Sequence, residues 1–575
     1  MSGGRARRPK PRGAFALAMA LGGLTAPGLA LAQAAPPPAA GALPTPQQLN
    51  PAGQVQAQPP APKRDLLEAP GQGACPLATS TLTFKLTSVE FQGLKSVPAE
   101  DLAPAWAAYA GKDTPMSAVC EIRDRAAAII FHKGYLVSVT IPPQHIEDGR
   151  LIINVVEARI ASVRVVGHAG PGQAKVEDYV EHLRGLAPFD LRTAQRYLLL
   201  ASDIPGLHVT ASLTPSSQGP GAVDMIVNVS SQPIDGLVNV TNYGAKELGP
   251  WGGLARLDLN NLTPLGDRTS LVAYSTLFDD EQQVVQLTEE IRPGSEGLVL
   301  RGSIAFGWDH PGAELAPVDL KGTSFVGTFL VLYPLIRERR DNLNVSAGFD
   351  FVDQTTKLGG FAADLNHDKL RIFHARMDGD VRADIGLGSD FEAGIEIRQG
   401  VNGLGASSPY ETDVSRIGGR SDATVLRADG HWVTQWTSKF STVVSFQAQW
   451  ANLPVLSYEE LQVGNLTIGR GYDPSSVAGD NGVSGSFEAR LGPYRLNSWA
   501  TVQLYGFTDV ARVDSLVDAA DFSRTIVSAG GGLRIGLTPR LSIDVAYAHP
   551  FDGVSAVQPV APPDRVLVSL VARFP

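Results

Sequence analysis

Over its last 340 residues, 236–575, the chain alternates apolar and polar residues with a period of two. That is the period of a β-strand, whose side chains point to opposite faces in turn. Sixteen such runs can be marked. They begin near Gly236, Gly252, Gly266, Glu281, Gly297, Gly322, Asp341 and Lys369, then near Ser389, Asp422, Ser441, Val483, Ser498, Arg524, Leu541 and Arg565. Leu541, Ile543, Val545 and Tyr547 share one face, and Ser542, Asp544, Ala546 and Ala548 the other. Val566, Val568, Leu570, Ala572 and Phe574 repeat the pattern, with Ser569 and Arg573 opposite.

This period has two physical causes. A membrane barrel turns its apolar face to lipid and its polar face to a wet lumen. A soluble sandwich buries the apolar face in a core. Connection lengths separate the two. After even-numbered runs the turns are short, as at 263–265, 293–296 and 538–540; after odd-numbered runs they are often long, as at 354–368, 401–421 and 452–482. Short turns at one rim and long loops at the other mark an outer-membrane barrel. Six of the seven Trp lie in this region, which fits girdles at the two interfaces. The expected fold is an all-β transmembrane barrel of 16 antiparallel strands over residues 233–575. An even strand number returns both barrel ends to the short-turn rim, so whatever precedes the barrel sits there.

The chain opens with Arg5, Arg7, Arg8, Lys10 and Arg12, an apolar run at 14–24, and Ala30-Leu31-Ala32. This is the pattern of a secretory leader, assigned to residues 1–32. No later stretch reaches the roughly 18 apolar residues of a spanning helix. Outside the cytoplasm, Cys75 and Cys120 can oxidise. Residues 33–76, rich in Pro, Ala and Gln, read as a linker with room for a short helix.

Between linker and barrel the order β-α-α-β-β occurs twice. In the first module (77–158), strands are expected at 83–91, 135–139 and 151–156, with helical patterns at 98–111 and 115–133. In the second (159–232), strands fall at 161–166, 208–213 and 222–229, with helices at 176–186 and 191–201. Two tandem α+β copies argue for repeated docking modules whose strand edges can take up an extended polypeptide; a plain spacer gives the same pattern. No catalytic constellation accompanies them. His132, His145, His168, His182 and His208 lack metal-ligand spacing, and no nucleophile elbow, P-loop or dinucleotide fingerprint occurs. No enzymatic activity and no cofactor are expected. An excess of ten acidic over basic residues weighs against nucleic acid as a partner.

The longest loop contains Ile468-Gly469-Arg470-Gly471-Tyr472-Asp473. Flanking glycines let the backbone approach another surface, and an arginine there calls for a carboxylate that accepts both its N–H groups. The thirteenth run supplies one. In Tyr505-Gly506-Phe507-Thr508-Asp509, alternation puts Tyr505, Phe507 and Asp509 with Trp499, Thr501 and Gln503 on the more polar, lumenal face. Glu488 and Arg490 of the twelfth run share that side. Either the loop folds inward and Asp509 clamps Arg470, or Arg470 sits in a surface turn and Asp509 is solvated.

In order and spacing, the motifs after residue 75 resemble a two-partner-secretion transporter (TpsB) of the haemolysin and filamentous-haemagglutinin export type. Lys133-Gly134-Tyr135-Leu136-Val137-Ser138, Ile141-Pro142-Pro143-Gln144 and Gly149-Arg150-Leu151 are similar to that family's POTRA signature. Leu198-Leu199-Leu200-Ala201-Ser202-Asp203-Ile204-Pro205-Gly206 matches its second module. Asn242-Tyr243-Gly244 and 260–267 resemble its first hairpins. Gly469-Arg470-Gly471-Tyr472 matches its loop tetrad, with Gly where Val is usual, and Phe507 and Asp509 match the barrel motif whose Asp pairs with the loop Arg.

The resemblance implies an outer-membrane translocase with its POTRA modules in the periplasm. It would export a large unfolded exoprotein (TpsA) that has an N-terminal secretion domain, and it leaves open whether a haemolysin or adhesin cargo is also activated. Outer-membrane lipid is the implied surrounding, a single copy the implied assembly, and a structural disulfide the implied state of Cys75 and Cys120. Three departures stand out. Phe574 is followed by Pro575, displacing the family's terminal aromatic; residues 33–60 are too rich in Pro for a long plug helix; and no helical lipase or haem-binding addition is visible. An outer-membrane insertase shares the loop and barrel motifs but usually carries more modules, and a passive porin needs none.

Overall fold

The computed structural model describes residues 45–50, 75, 77, 79–361, 363–517, 523–554 and 559–574. The leader expected at 1–32, most of the linker expected at 33–76 and the final Pro575 lie outside them. Among the described residues, sixteen strands close into one antiparallel barrel. They are β1 Ile234–Thr241, β2 Gly252–Asn260, β3 Arg268–Thr276, β4 Gln282–Ile291, β5 Val299–Asp309, β6 Leu320–Arg337, β7 Asp341–Leu358 and β8 Asp364–Ala383. Then follow β9 Ser389–Gly400, β10 Thr424–Gln435, β11 Phe440–Ala451, β12 Asn481–Arg495, β13 Thr501–Asp514, β14 Ser523–Thr538, β15 Leu541–Pro550 and β16 Arg565–Phe574. The barrel closes where Ser569 through Phe574 pair with Thr241 back to Gly236.

Alternation assigns the faces. On β4, Gln282, Val284 and Glu290 are buried toward the lumen, while Val285 and Leu287 are exposed outward. Trp308 and Trp450 point outward near the long-loop rim; Trp432, Trp436 and Trp499 do so near the short-turn rim. These are the two girdles that interfacial Trp form. The structure corrects one loop. Residues 354–368 are mostly strand, because β7 runs to Leu358 and β8 starts at Asp364. Their polar residues on both faces remove the apolar signal, yet the ladder continues from Gln354 opposite Asp368 to Thr356 opposite Asn366.

The first module packs a three-stranded sheet, with Ser88–Gln92 parallel to Arg150–Glu157 and Val137–Thr140 antiparallel to it, on the helix Ala118–His132. Leu102, Val119, Ile122, Ile130, Leu151 and Ile153 form its core. The helix expected at 98–111 is shorter: a 3-10 turn at Ala99–Leu102 leads into Ala103–Trp106. Pro104 suits only a first turn, and Gly111, at φ +73, turns the chain into the short strand Asp113–Pro115. The second module sets Gln173–Glu181 and Leu191–Ser202 on the sheet formed by Arg159–His168, Ala222–Ser231 and Leu207–Pro215. Asp190 caps Leu191–Ser202 by accepting the N–H groups of Arg192 and Thr193.

The second module sits on the short-turn rim. Lys175 Nζ donates to the Gly294 carbonyl at 2.9 Å, and Arg196 Nη1 to the Pro334 carbonyl at 3.1 Å. Tyr197 Oη donates to Glu296 Oε1 at 3.0 Å, and the Asn261 side chain to the Pro205 carbonyl. The segments 198–206 and 260–267 therefore meet at one seam.

One turn of helix, Pro46–Leu49, lies in the lumen. Thr45 and Gln48 form a reciprocal capping box, and Pro46 occupies the first turn. Leu49 joins a buried apolar cluster with the lumenal residues Val284, Ala305, Val326 and Val352. Four residues is the extent of this helix.

Candidate functional site

The connection from β11 to β12, residues 452–480, carries Arg470 to the inner wall. Arg470 Nε donates to Asp509 Oδ2 at 3.0 Å and Nη2 to Asp509 Oδ1 at 2.7 Å. Its backbone N–H also donates to Asp509 Oδ2, at 2.9 Å. Asp509 is 1 % exposed, and its remaining capacity is taken by the Ser486 hydroxyl at 2.7 Å. Arg470 Nη1 reaches Glu488 Oε2 at 2.8 Å, and the guanidinium lies 3.5 Å from the centroid of the Phe507 ring. A planar fork thus meets a carboxylate on its edge and an aromatic ring on its face, the two geometries in which arginine differs from lysine.

The glycines explain how the loop gets so close. Gly469 has φ +127, a conformation that side-chain-bearing residues rarely adopt. A Cβ on Gly471 would fall 2.7 Å from Ser528 Cβ and 3.0 Å from Pro550 N, and Gly471 N–H donates to the Ser528 hydroxyl. Tyr472 is fully buried; its hydroxyl donates to the Val527 carbonyl and accepts from Asp552 N–H. The wall is shaped to match. Phe507 and Tyr505 lie over Gly530 and Gly532, where a Cβ would fall 2.7 Å from either ring.

Several members of this site are not evident from the motif alone. Glu488 binds Arg490 at 2.6 Å and Arg534 at 2.7 Å besides Arg470. Arg534 continues to Asp544 at 3.0 Å, which accepts the Tyr505 hydroxyl at 2.6 Å. Arg534 and Asp544 stand at the polar parity of their strands, the one sign of them in the sequence. At the root of the loop, Asp480 accepts Arg416 Nη1 at 2.6 Å and the N–H groups of Val455 and Leu516.

The remaining motif residues are structural parts of the first module. Cys75 and Cys120 are joined in a disulfide, with Cα atoms 5.8 Å apart. Gly134, at φ +96, ends Ala118–His132, and its carbonyl accepts Leu191 N–H of the next module, while Tyr135 bridges to Asp190. The Gln144 side chain pairs with both backbone groups of Ile152 at 2.7 and 2.8 Å, behind Pro142 and beside buried Leu151. A Cβ on Gly149 would collide with the Lys85 carbonyl. Among the described residues, no group of three metal-ligating side chains forms a metal site.

Comparisons with known proteins agree with this architecture. The family described as haemolysin secretion/activation protein ShlB/FhaC/HecB matches residues 223–535, more than half of the chain, and the ShlB-type POTRA domain matches residues 84–158. The haem/hemopexin transporter protein HuxB of Haemophilus influenzae is 21% identical over 499 residues, covering 82% of this chain and 84% of the relative. The structure of CdiB from Escherichia coli superposes with TM-score 0.69 at 16% identity, over 87% of this chain and 92% of that one. BamA from Haemophilus ducreyi, lacking POTRA domains 1–3, superposes less well, with TM-score 0.52 at 14% identity, over 86% of this chain and all of that one. The chain belongs to the haemolysin secretion/activation family ShlB/FhaC/HecB, the TpsB transporters that export TpsA exoproteins across the outer membrane and hold their POTRA modules in the periplasm.

Proposed function

We propose that the N-terminal secretion domain of the exoprotein docks on strand edges within residues 81–232, and that the chain then threads the lumen past the Arg470 loop. Leu207–Pro215 is an outer strand of the second sheet and presents alternating Leu207, Val209 and Ala211 to the core with His208, Thr210 and Ser212 outward. Such an edge offers a row of backbone donors and acceptors for an extended peptide, which gains main-chain hydrogen bonds without sequence-specific pockets. Folding outside the cell would drive export.

The observation that carries this reading is the Arg470–Asp509 pair. It holds the loop across the space that a passing polypeptide needs, and it is built from charged groups that water can solvate once it opens. A single copy suffices, because the path runs through one barrel. Crosslinking tests the docking step. A photoreactive residue at Thr210 or Ser212 should capture the secretion domain of a co-expressed cargo, and one at Gln173, on a helix, should not. Equal capture at all three positions would refute docking at this edge.

A further inference from the structure

We propose that Glu459 and Arg398 form a second lock on the inward loop, one that ties the loop to the N-terminal turn so that the two obstructions of the lumen yield together. Arg398, on β9, is 6 % exposed and faces inward. Its Nε and Nη2 each donate to a carboxylate oxygen of Glu459 at 3.0 Å. Nη2 also reaches Asp350 at 2.8 Å and Nη1 reaches Glu396 at 3.2 Å. The Glu459 carbonyl is held as well, by Arg427 Nη2 at 3.1 Å and Gln449 Nε2 at 2.8 Å.

This anchor is separate from the one at Arg470. Asp350, Glu396 and Arg398 stand on β7 and β9, whereas Asp509 and Glu488 stand on β13 and β12. The loop is therefore fastened to two arcs of the wall. Next to Glu459, Leu456 and Tyr458 belong to the same buried apolar cluster as Leu49 of the N-terminal turn. Tyr458, Leu49 and Pro46 also line one lumenal cavity of about 670 Å³, together with His374, Asp350 and Glu396. The ion pair fixes the loop segment that shares this cluster and cavity with the turn, while the turn itself packs on β4 and β5.

Charge arithmetic selects the side chain to change. Removing Arg398 would leave Asp350, Glu396 and Glu459 facing one another out of water, which damages the wall itself. Removing the Glu459 side chain leaves Arg398 with its two wall carboxylates, so only the loop loses a contact, its ionic one, while its carbonyl bonds to Arg427 and Gln449 remain. Glu459 acts through the loop and is a positioning residue. The inference rests on the lumen being the conducting path, but its test needs no cargo.

Leu49→Cys in the full-length purified protein provides the reporter, since Cys75 and Cys120 are bonded to each other. Its rate of reaction with a maleimide in lipid vesicles should rise about tenfold when Glu459→Ala is added, the scale expected for losing a two-bond ionic contact. Glu459→Gln, which keeps one acceptor, should give a smaller rise, and Glu459→Ala should lengthen open events in single-channel recordings. If Leu49→Cys fails to assemble, Gln48→Cys, 7 % exposed, serves the same purpose. A labelling rate unchanged by Glu459→Ala, alongside altered channel events, would mean that loop and turn move independently and would overturn the proposal. A faster rate with export unaffected would leave it standing and count instead against the lumenal path.

Discussion

Arg337, at the end of β6, donates Nε and Nη2 to the two carboxylate oxygens of Asp203 at 2.7 and 2.6 Å, fastening the second module to the barrel rim. Asp203 lies at the end of Leu191–Ser202, within the segment 198–206, so this ion pair joins a module motif to the barrel. The pair is partly open to water, and such pairs contribute about 1 kcal/mol or less. Arg337→Ala is therefore expected to leave barrel assembly intact while widening the range of module positions. Distances between spin labels on the module and the rim would measure it, with export falling about two- to fivefold by the same energetic scale. A distance distribution as narrow as that of the unaltered protein would show that the carbonyl contacts of Lys175 and Arg196 suffice alone.

Gly471→Ala tests how closely the loop must approach. The added Cβ meets the Ser528 side chain and the Pro550 backbone at once, and the backbone of a strand cannot yield. Overpacking of this kind costs roughly 1–3 kcal/mol. The expected outcome is a displaced loop, seen as protease cleavage between residues 464 and 476 of intact barrels from outside the cell. Unchanged protease resistance would count against the tight seat.

Much of this arrangement was legible in the sequence, for a physical reason. Lipid on one side and water on the other force strict alternation, and all sixteen runs coincide with strands. The rule lapses where a strand leaves the bilayer. Thr355, Lys357 and His367 point outward but are polar, so the pattern reads as a loop although hydrogen bonding continues. At the site, Arg470 and Asp509 stood out because glycines mark a close backbone approach. Arg534, Asp544 and Glu459 did not: a charged residue at lumenal parity is common along these strands, and Arg534 meets Glu488, as Glu459 meets Arg398, across elements that only the folded barrel brings together. The helical turn at Pro46–Leu49 was signalled only by Thr45 and Gln48 at capping-box spacing, within a segment otherwise rich in proline.

The first module should carry an acid-sensitive contact at Glu157. Burial raises its pKa, but the N–H groups of Lys95 and Ser96, the Ser96 hydroxyl and the Lys95 charge together hold it below the ordinary carboxylate range. Its Oε1 accepts these at 2.6, 2.6 and 2.8 Å. Because the folded pKa is the lower one, this stabilisation is complete above the unfolded value of about 4.3 and is lost as pH falls through the folded value. Hydrogen exchange of residues 88–157 should show Glu157→Gln less protected than the parent at pH 6, with the difference shrinking steadily as the pH is lowered below about 4.3. A difference independent of pH across that range would assign the effect to packing.

The clamp itself makes the sharpest distinction between building the barrel and using it. Arg470→Ala removes three side-chain donors and the cation over Phe507, leaving Asp509 and Glu488 buried without that partner. Glu488 keeps Arg490 and Arg534, so the wall remains largely neutralised. The strands do not depend on the loop for their ladders, and barrel yield should stay within about twofold, whereas stranding a buried charge costs about 3 kcal/mol or more locally. A loop no longer seated against the wall lies loose in the lumen and cannot return to one defined position, and export should fall about tenfold or further. Arg470→Lys should rescue poorly, because one ammonium cannot engage both oxygens of Asp509 while lying flat on a ring. Asp509→Asn keeps the shape but removes the charge and should fall between the two. The measurement is secreted cargo divided by heat-modifiable barrel in the outer membrane. If that ratio stays constant across the three variants, the pair serves assembly only, and the inward loop has no separate part in transport.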